Sequence, residues 1–319
     1  MDGSILAQYQ ARLTEFSAPN QQRILQYLTF LTARHYAATT LPAVVTTLHA
    51  LRRHLPAARQ QVVTNDLTQT TPQDIAAFVA ASQAAGLAPS TINTKLGLLT
   101  AFFDYLYDQG EMAHQPVRHR HRLPLPFLLP KPIPDADLTA FFQVIDSVRD
   151  RLIFLLMLRC GLRVSEVCAL PWDAIDLHAG TVRITRGKGQ VDRIVYVSPD
   201  VEQTLKLWQA HATPGPYVFP SPKPHRAHLF RSVINVLMNQ YLAVAGVTHH
   251  YSPHCLRHTF ATHLLNAGVP LEVLKELMGH HSIRLTLRYA QLYNHTKKHQ
   301  YDQAMAQVTQ RHAVHGREG

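Results

Sequence analysis

The first third of the chain carries apolar residues at the spacing of amphipathic helices. A capping box, Thr-Pro-Gln-Asp at 71–74, begins one helix, and Gly86 follows where that helix should stop. A second helix begins at Ser90 and ends at Gly110, with apolar positions at Ile92, Leu96, Leu99, Phe103 and Leu106. Apolar groups within 25–31 and 44–51 predict two earlier helices. The pattern therefore predicts a helical N-terminal domain.

Residues 116–134 interrupt this helical pattern. Six of them are proline, and the sequence Arg-His-Arg-His-Arg at 118–122 makes the stretch basic. Proline cannot continue a helix and favours extended backbone. We therefore predict a helical domain at 1–117, a basic proline-rich linker at 118–132 and a second domain at 133–319. The linker either serves as a solvated spacer or follows a phosphate backbone, and the two interpretations are compatible.

The second domain combines helices with strands. Residues 152–158 are apolar between two arginines, which predicts a buried helix far too short to span a bilayer. Residues 181–185 and 193–197 alternate like strands, and the Gly-Lys-Gly turn between them places Lys188 at the tip of a β-hairpin. A third short strand is expected at 217–219.

Helical spacing resumes at residue 229. It predicts one helix through Val244 and further helices over 253–266, from 270 to 279, and around Tyr289. The expected fold class is therefore mainly α with a small antiparallel β-sheet.

The net charge of the chain indicates which kind of partner it binds. The chain has 319 residues, a formal net charge of +10 and a pI of about 9.7. This balance favours a polyanion, with nucleic acid the first candidate, although a basic enzyme without a polyanionic partner would also fit. Three cysteines at irregular spacing and an N-terminus without signal-peptide character predict a cytoplasmic protein, and no membrane association is expected.

Two arginines and two histidines precede a late tyrosine, a set of groups suited to attack on a phosphodiester. Arginines can bind non-bridging oxygens by paired hydrogen bonds, and histidines can move protons near neutral pH. The candidates are Arg163, His254, Arg257, His280 and Tyr289, with Lys188 as a further cation. Each has an ordinary alternative: a surface arginine, a solvated basic helix face, a turn lysine or a boundary tyrosine.

A histidine-rich stretch also raises the question of metal binding. Residues 249–263 contain five histidines and one cysteine, but without the paired Cys-x-x-Cys spacing of a structural zinc site. Because the chain has 21 histidines, chance clustering explains this stretch better.

The order of these motifs resembles the tyrosine recombinase (phage integrase) family. The order is Gly-Leu-Arg-Val-Ser-Glu at 161–166, the Gly-Lys-Gly hairpin, His-x-x-Arg-His at 254–258, Leu-Met-Gly-His at 277–280 and then Tyr289. The resemblance is strong over about 133–305 and looser in the helical N-terminal part. It implies a two-domain DNA clamp with a helical core-binding (SAM-like) domain and a catalytic domain.

The resemblance also implies a role for each candidate. Arg163 and Arg257 would bind the phosphate, and His280 would hydrogen-bond to it. Tyr289 would attack the phosphorus, with His254 assisting proton transfer. Lys188 would protonate the leaving 5′ oxygen, and Glu166 would support the arginine helix. A histidine that the family often carries two residues after the tyrosine is Gln291 here.

The implied reaction is cutting and rejoining of DNA strands through a 3′-phosphotyrosyl intermediate, without ATP, metal or other cofactor. The implied partners are a double-stranded recombination site and three further copies of the chain, with a paralogous recombinase as the alternative to some of these copies. Residues 294–308, with Tyr301, Met305 and Val308 as anchors, would either dock on a neighbouring subunit or pack on their own domain.

Two other functions remain open from the sequence. A type IB topoisomerase-like enzyme uses similar cutting chemistry without exchanging partner strands. A DNA-binding accessory protein would have lost catalysis, against which the complete set of six residues argues.

Overall fold

The computed structural model describes residues 9–37, 39–125, 131–185, 192–223 and 225–279, and isolated positions at 283, 286, 287, 301, 305 and 306. Three predicted site residues, Lys188, His280 and Tyr289, lie outside the described residues. The chain forms two compact units, Met1–Phe127 and Leu128–Gly319.

The first unit is built from helices around one apolar core. Buried leucines and aromatic side chains from its helices share this core, and the ring of Tyr27 packs edge-on against Phe102 at 5.3 Å between centroids. The helices are α1 (Ala18–Ala33), α2 (Thr40–Arg53), α3 (Ala57–Asn65), α4 (Pro72–Ala84) and α5 (Pro89–Asp108).

Local sequence sets the ends of α4 and α5 as predicted. The Thr71 side chain accepts from the backbone N–H of Asp74, and the Asp74 carboxylate accepts from the backbone N–H of Thr71. Gly86 and Gly110 follow the two helices with φ of 76° and 75°, the left-handed conformation that glycine adopts without steric cost. Helix α3 was not predicted because Val63 is its only buried residue and gives no apolar periodicity.

The first part of the predicted linker packs on this unit. The Asn93 side chain of α5 donates to the carbonyl of Leu123 at 2.8 Å and accepts from its backbone N–H at 2.9 Å. His121 is buried, and its Nδ1 accepts from the backbone N–H of Arg118. These contacts fix His121 and Leu123, whereas residues 118–120 and 122 are exposed, so the stretch is only partly packed on the helical unit.

The second unit has a larger core around the predicted buried helix. Residues 152–158 are all buried and lie at the centre of its hydrophobic cluster. The helices are α6 (Asp135–Gln143), α7 (Val148–Arg159), α8 (Val164–Cys168), α9 (Pro199–His211), α10 (Arg231–Val244), α11 (Pro253–Asn266) and α12 (Leu271–Met278), and the strands are β1 (Ile175–Asp176), β2 (Thr181–Ile184) and β3 (Arg193–Tyr196).

The sheet is antiparallel in the order β1-β2-β3. The predicted hairpin is confirmed, with Val182 opposite Val195 and Ile184 opposite Arg193. The expected third strand at 217–219 is wrong: Tyr217 forms a single isolated bridge with Pro171, while β1 supplies the third strand. Two residues are too few to show alternation, so β1 could not be recognised from the sequence pattern.

Helix α9 was not predicted, since only Val201, Thr204 and Leu205 are buried along its length. Within the described part of the chain, none of the helices combines the length and the apolar character needed to span a membrane.

Candidate active site

Arg163 lies where the chain turns between two helices. Helix α7 ends at Arg159, and Gly161 then adopts a φ of 63°, which reverses the backbone direction. Arg163 follows as the N-cap residue of α8, and its backbone N–H donates to Oε2 of Glu166 at 2.7 Å. The glycine and the capping box together fix the position of the Arg163 side chain.

Glu166 joins Arg163 to a second arginine. Its Oε1 accepts from Nη1 of Arg163 at 2.8 Å and from Nη1 of Arg193 at 2.8 Å, and its Oε2 accepts from Nη2 of Arg193 at 2.6 Å. Burial alone would raise the pKa of Glu166, but Arg193 and then Arg163 outweigh burial and lower it. Glu166 is therefore a carboxylate at neutral pH.

Arg257 is the deeply buried arginine of the site, with 4% of its surface exposed. It lies on α11, and its guanidinium donates through Nη1 to the carbonyl of Gly161 and through Nη2 to the carbonyl of Met278. The alternative that this helix presents a solvated basic face is therefore wrong for Arg257.

Three arginines converge on the C-terminal end of α12. Arg193 Nε donates to the carbonyl of Leu277 at 2.8 Å, Arg257 to that of Met278, and Arg163 Nη2 to that of Gly279 at 3.2 Å. The last carbonyls of a helix lack partners within the helix and carry partial negative charge. These three consecutive carbonyls thus gather the guanidinium groups immediately before position 280.

His254 lies one turn before Arg257, in the first turn of α11. Its ring is accessible to solvent at the N-terminal end of the helix. Partial burial and then the positive charges of Arg257, Arg163 and Arg231 lower the pKa of His254 below its usual value of 6.5. His254 is therefore neutral at physiological pH and able to accept a proton.

Residues 133–296 match the phage integrase family, and residues 7–110 match the phage integrase N-terminal SAM-like domain. The chain belongs to the phage integrase family, the tyrosine recombinases. This membership confirms the resemblance that the motif order indicated.

Named relatives of this tyrosine recombinase come from archaea and bacteria. Tyrosine recombinase XerA of Pyrococcus furiosus is 32% identical over 235 residues, which cover 72% of this chain and 78% of that protein. Tyrosine recombinase XerC of Xylella fastidiosa strain M23 is 32% identical over 258 residues, covering 78% of this chain and 85% of that protein.

Solved structures share the fold of this recombinase at lower identity. The Tn1549 transposon integrase in complex with transposon right end DNA has a TM-score of 0.67 and 18% identity, covering 84% of this chain and 94% of that one. A lambda integrase dimer bound to a COC′ core site has a TM-score of 0.65 and 18% identity, covering 84% and 76%. Both confirm the expected fold class.

The structure brings together the predicted site residues that it describes. Arg163 and Arg257 donate to adjacent carbonyls, and the charges of both act on His254. The predicted roles of Lys188, His280 and Tyr289 remain predictions because these residues are not described.

Sequence reasoning missed Arg193. Its side chain is 5% exposed and lies on the inward face of β3 with Val195. The signal was weak because Ile194 and Tyr196, on the outward face, are also apolar. The hydrophobic pattern therefore could not show which face of the strand is buried.

The histidines of the stretch 249–263 have separate neighbours. His249 stacks on Tyr251 with 6.1 Å between ring centroids, and Nε2 of His263 lies 3.3 Å from Oδ1 of Asp135. Among the described residues, no three His, Cys, Asp or Glu side chains are grouped as metal ligands would be.

Proposed function

We propose that this chain is a site-specific DNA recombinase that cuts and rejoins DNA strands through a 3′-phosphotyrosyl intermediate at Tyr289. One observation carries the proposal most directly: Arg163 and Arg257 are held on adjacent carbonyls, Gly279 and Met278, next to a neutral His254. Two guanidinium groups beside a proton acceptor suit a phosphodiester whose negative charge increases in the transition state.

In the forward step, the Tyr289 oxygen forms a bond to phosphorus while the bond from phosphorus to the 5′ oxygen breaks. The tyrosine proton passes toward His254, and Lys188 supplies a proton to the leaving 5′ oxygen. Arg163, Arg257 and His280 contact the non-bridging oxygens. The 5′ hydroxyl of a partner strand then attacks the phosphotyrosyl bond and restores Tyr289.

The chemistry of exchange explains why no energy source is proposed. One phosphodiester is exchanged for a phosphotyrosyl diester and then for another phosphodiester, so the energy of the bond is conserved throughout. Neither ATP nor a metal ion is assigned a step, because tyrosine, lysine, histidine and arginine supply the nucleophile, the proton donor, the proton acceptor and the positive charge.

The same proposal assigns the domains and partners. Residues 1–117 are the core-binding domain, 118–132 the linker and 133–319 the catalytic domain with its tail, and together they clamp duplex DNA. The net charge of +10 supports this partner, as does the transposon right end DNA in the complex of the similar Tn1549 integrase. Four copies, or copies of this chain together with a paralogous recombinase, would assemble on two sites, with residues 294–308 reaching a neighbour.

The three cysteines fit a cytoplasmic location. Cys160, Cys168 and Cys255 are free thiols, as a reducing compartment would keep them.

A strand-transfer assay tests the function. A 5′-labelled nicked duplex carrying the cleavage site is incubated with an unlabelled second duplex that offers a free 5′ hydroxyl. A recombinase joins the labelled strand to the second duplex in a Tyr289-dependent reaction. Resealing of the first duplex alone would indicate a topoisomerase-like enzyme, and binding without any adduct would indicate an accessory protein.

A further inference from the structure

We propose that Arg193 is a positioning residue for strand cleavage: it keeps Arg163 available to the scissile phosphate and fixes the end of α12. The inference rests on the proposed function and extends it to a residue outside the six assigned above. The Arg193 side chain is buried, 5% exposed, and its Nε, Nη1 and Nη2 all donate to protein acceptors, so we assign it no contact with DNA.

The contacts of Arg193 join two parts of the site. Nη1 and Nη2 donate to the two oxygens of Glu166 at 2.8 and 2.6 Å, and Nε donates to the carbonyl of Leu277 at 2.8 Å. A guanidinium with this fork geometry fixes the orientation of both partners, which an ammonium group cannot do. Arg193 thus sets where Glu166 lies relative to the end of α12.

Glu166 in turn contacts Arg163, so the positive charge that Arg163 can offer to a phosphate depends on Arg193. Arg163 and Arg193 contribute two positive charges and Glu166 one negative charge, which leaves one positive charge for the phosphate. Without Arg193, the Glu166 carboxylate would pair with Arg163 alone. Both carboxylate oxygens could then turn toward Arg163 and neutralise its charge. The buried arginine therefore offsets the carboxylate that orients Arg163.

The Leu277 contact acts on the backbone that leads to position 280. Arg193 and Arg257 bind the carbonyls of consecutive residues, Leu277 and Met278. Loss of one of these contacts would loosen the helix end that also receives Arg163 at Gly279. Small displacements of groups around a reacting centre are costly for rate.

A purely structural role is the competing explanation, because buried ion pairs often serve stability or specificity of folding rather than chemistry. A modified substrate can distinguish the positioning role from the purely structural role. A methylphosphonate at the scissile position replaces a charged oxygen with a methyl group and reduces the need for positive charge at that phosphate. A cleavage defect caused by lost charge is then relieved, whereas one caused by general loosening is not.

The test uses the full-length protein and a nicked duplex carrying the sequence at which the wild-type protein forms its adduct. The duplex is made with a phosphate or a methylphosphonate at the scissile position, and adduct formation is followed in single turnovers at saturating protein. Arg193→Gln is the main variant and Arg163→Ala the positive control. Arg59→Gln removes a similar paired contact, to the buried carboxylate of Asp74, in the first unit.

We expect Arg193→Gln to slow cleavage of the phosphodiester by about 10- to 100-fold. The methylphosphonate should recover most of this loss, as it should for Arg163→Ala. Arg59→Gln should leave the ratio of the two rates as in wild type. If Arg193→Gln does not fold, Arg193→Lys replaces it: the retained charge should leave a smaller defect with little recovery on the methylphosphonate.

Four results would contradict the role of Arg193 or the function on which it rests. Cleavage by Arg193→Gln at the wild-type rate overturns the positioning role. A defect of equal size on both substrates overturns the claim that Arg193 keeps the charge of Arg163 available to the phosphate. Cleavage by Arg193→Lys at the wild-type rate overturns the need for the fork geometry. A wild-type protein that forms no Tyr289-dependent adduct contradicts the proposed function itself.

Discussion

The ring of Phe260 fills the space where a side chain on Gly161 would lie. A Cβ built on Gly161 would come 2.5 Å from both Cδ1 and Cε1 of Phe260, and the φ of Gly161 is 63°. Phe260 also belongs to the small core shared by α11 and α12. The turn that presents Arg163 is therefore packed directly against the helix that carries Arg257.

Gly161→Ala should destabilise the second unit strongly. The left-handed backbone and the displaced ring together should lower the free energy of unfolding by about 2–4 kcal/mol. Gly246→Ala is the matched control, because Gly246 has a φ of 69° with nothing within 4 Å of the added Cβ, and it should cost about 1–2 kcal/mol. Urea unfolding followed by tryptophan fluorescence reports on this unit, since Trp172 and Trp208 are the chain's two tryptophans. Equal losses of unfolding free energy in the two variants would show that the Phe260 ring moves aside at no cost.

Arg257→Lys should nearly abolish cleavage although it keeps the positive charge. A single ammonium cannot donate to the carbonyls of Gly161 and Met278 and also present a fork to the phosphate. We expect the rate of adduct formation to fall by about 100-fold or more, with DNA affinity changed little. Rates near wild type in a single-turnover assay would refute the phosphate-binding role of Arg257.

The lowered pKa of His254 predicts a specific pH dependence. Since burial and neighbouring positive charges lower this pKa, the ring should lose its proton below pH 6.5, and cleavage should decline only on the acid side of that value. Arg231→Gln removes one of the responsible charges and should move the titration toward higher pH.

The measurement is a titration of the His254 ring proton by NMR in DNA-free protein, with His254→Gln for assignment. Arg226→Gln is the control, because Arg226 stacks on Phe230 and is not among the charges that lower the pKa of His254. A His254 titration at or above pH 6.5 in the wild-type protein would contradict this electrostatic account.

Glu166 should make stability depend on pH. Its pKa is lowered in the folded protein, so its stabilising contribution is present above the usual value of 4.5 and is lost as pH falls through the lowered pKa. At pH 7, Glu166→Gln should cost about 3–5 kcal/mol because Arg193 would be left buried without its charge partner. The difference from wild type should shrink below pH 4.5.

Tryptophan-monitored unfolding at several pH values checks this expectation. Glu202→Gln serves as the control, because Glu202 pairs with Lys206 on the surface of α9 and such pairs contribute little. A difference between wild type and Glu166→Gln that stays constant from pH 7 to pH 3.5 would show that charge on Glu166 is unimportant for stability.

Strong local signals allowed much of the fold to be predicted from the sequence. Capping residues and glycines set the ends of α4 and α5, and the apolar stretch 152–158 identified the central buried helix. Elements with few buried residues were missed, namely α3, α9 and the two-residue β1. Their formation depends on packing against the rest of the unit, which local periodicity does not report.

The candidate site, like the fold, could be predicted from the sequence only in part. Motif spacing predicted Arg163, His254 and Arg257 as site residues, since side chains at helix starts leave a local pattern, and the structure brings these three together. Nothing local showed that Arg193 shares a carboxylate with Arg163 across 30 residues of chain, or that three arginines would meet on the carbonyls of 277–279. Those relationships arise only when the strand and helices have packed together.

The proposed recombinase function depends on covalent attachment of Tyr289 to DNA, and covalent trapping detects this attachment. Wild-type protein, Tyr289→Phe and the control Tyr196→Phe, at an exposed tyrosine of β3, are incubated with nicked, fragmented DNA and denatured in detergent. The linked peptide is then identified by mass spectrometry and the linked DNA ends are sequenced. We expect a 3′-phosphate bond to Tyr289 at one recurring sequence in wild type and Tyr196→Phe, and none in Tyr289→Phe. An adduct that persists in Tyr289→Phe, or one mapped to another residue, would contradict this expectation.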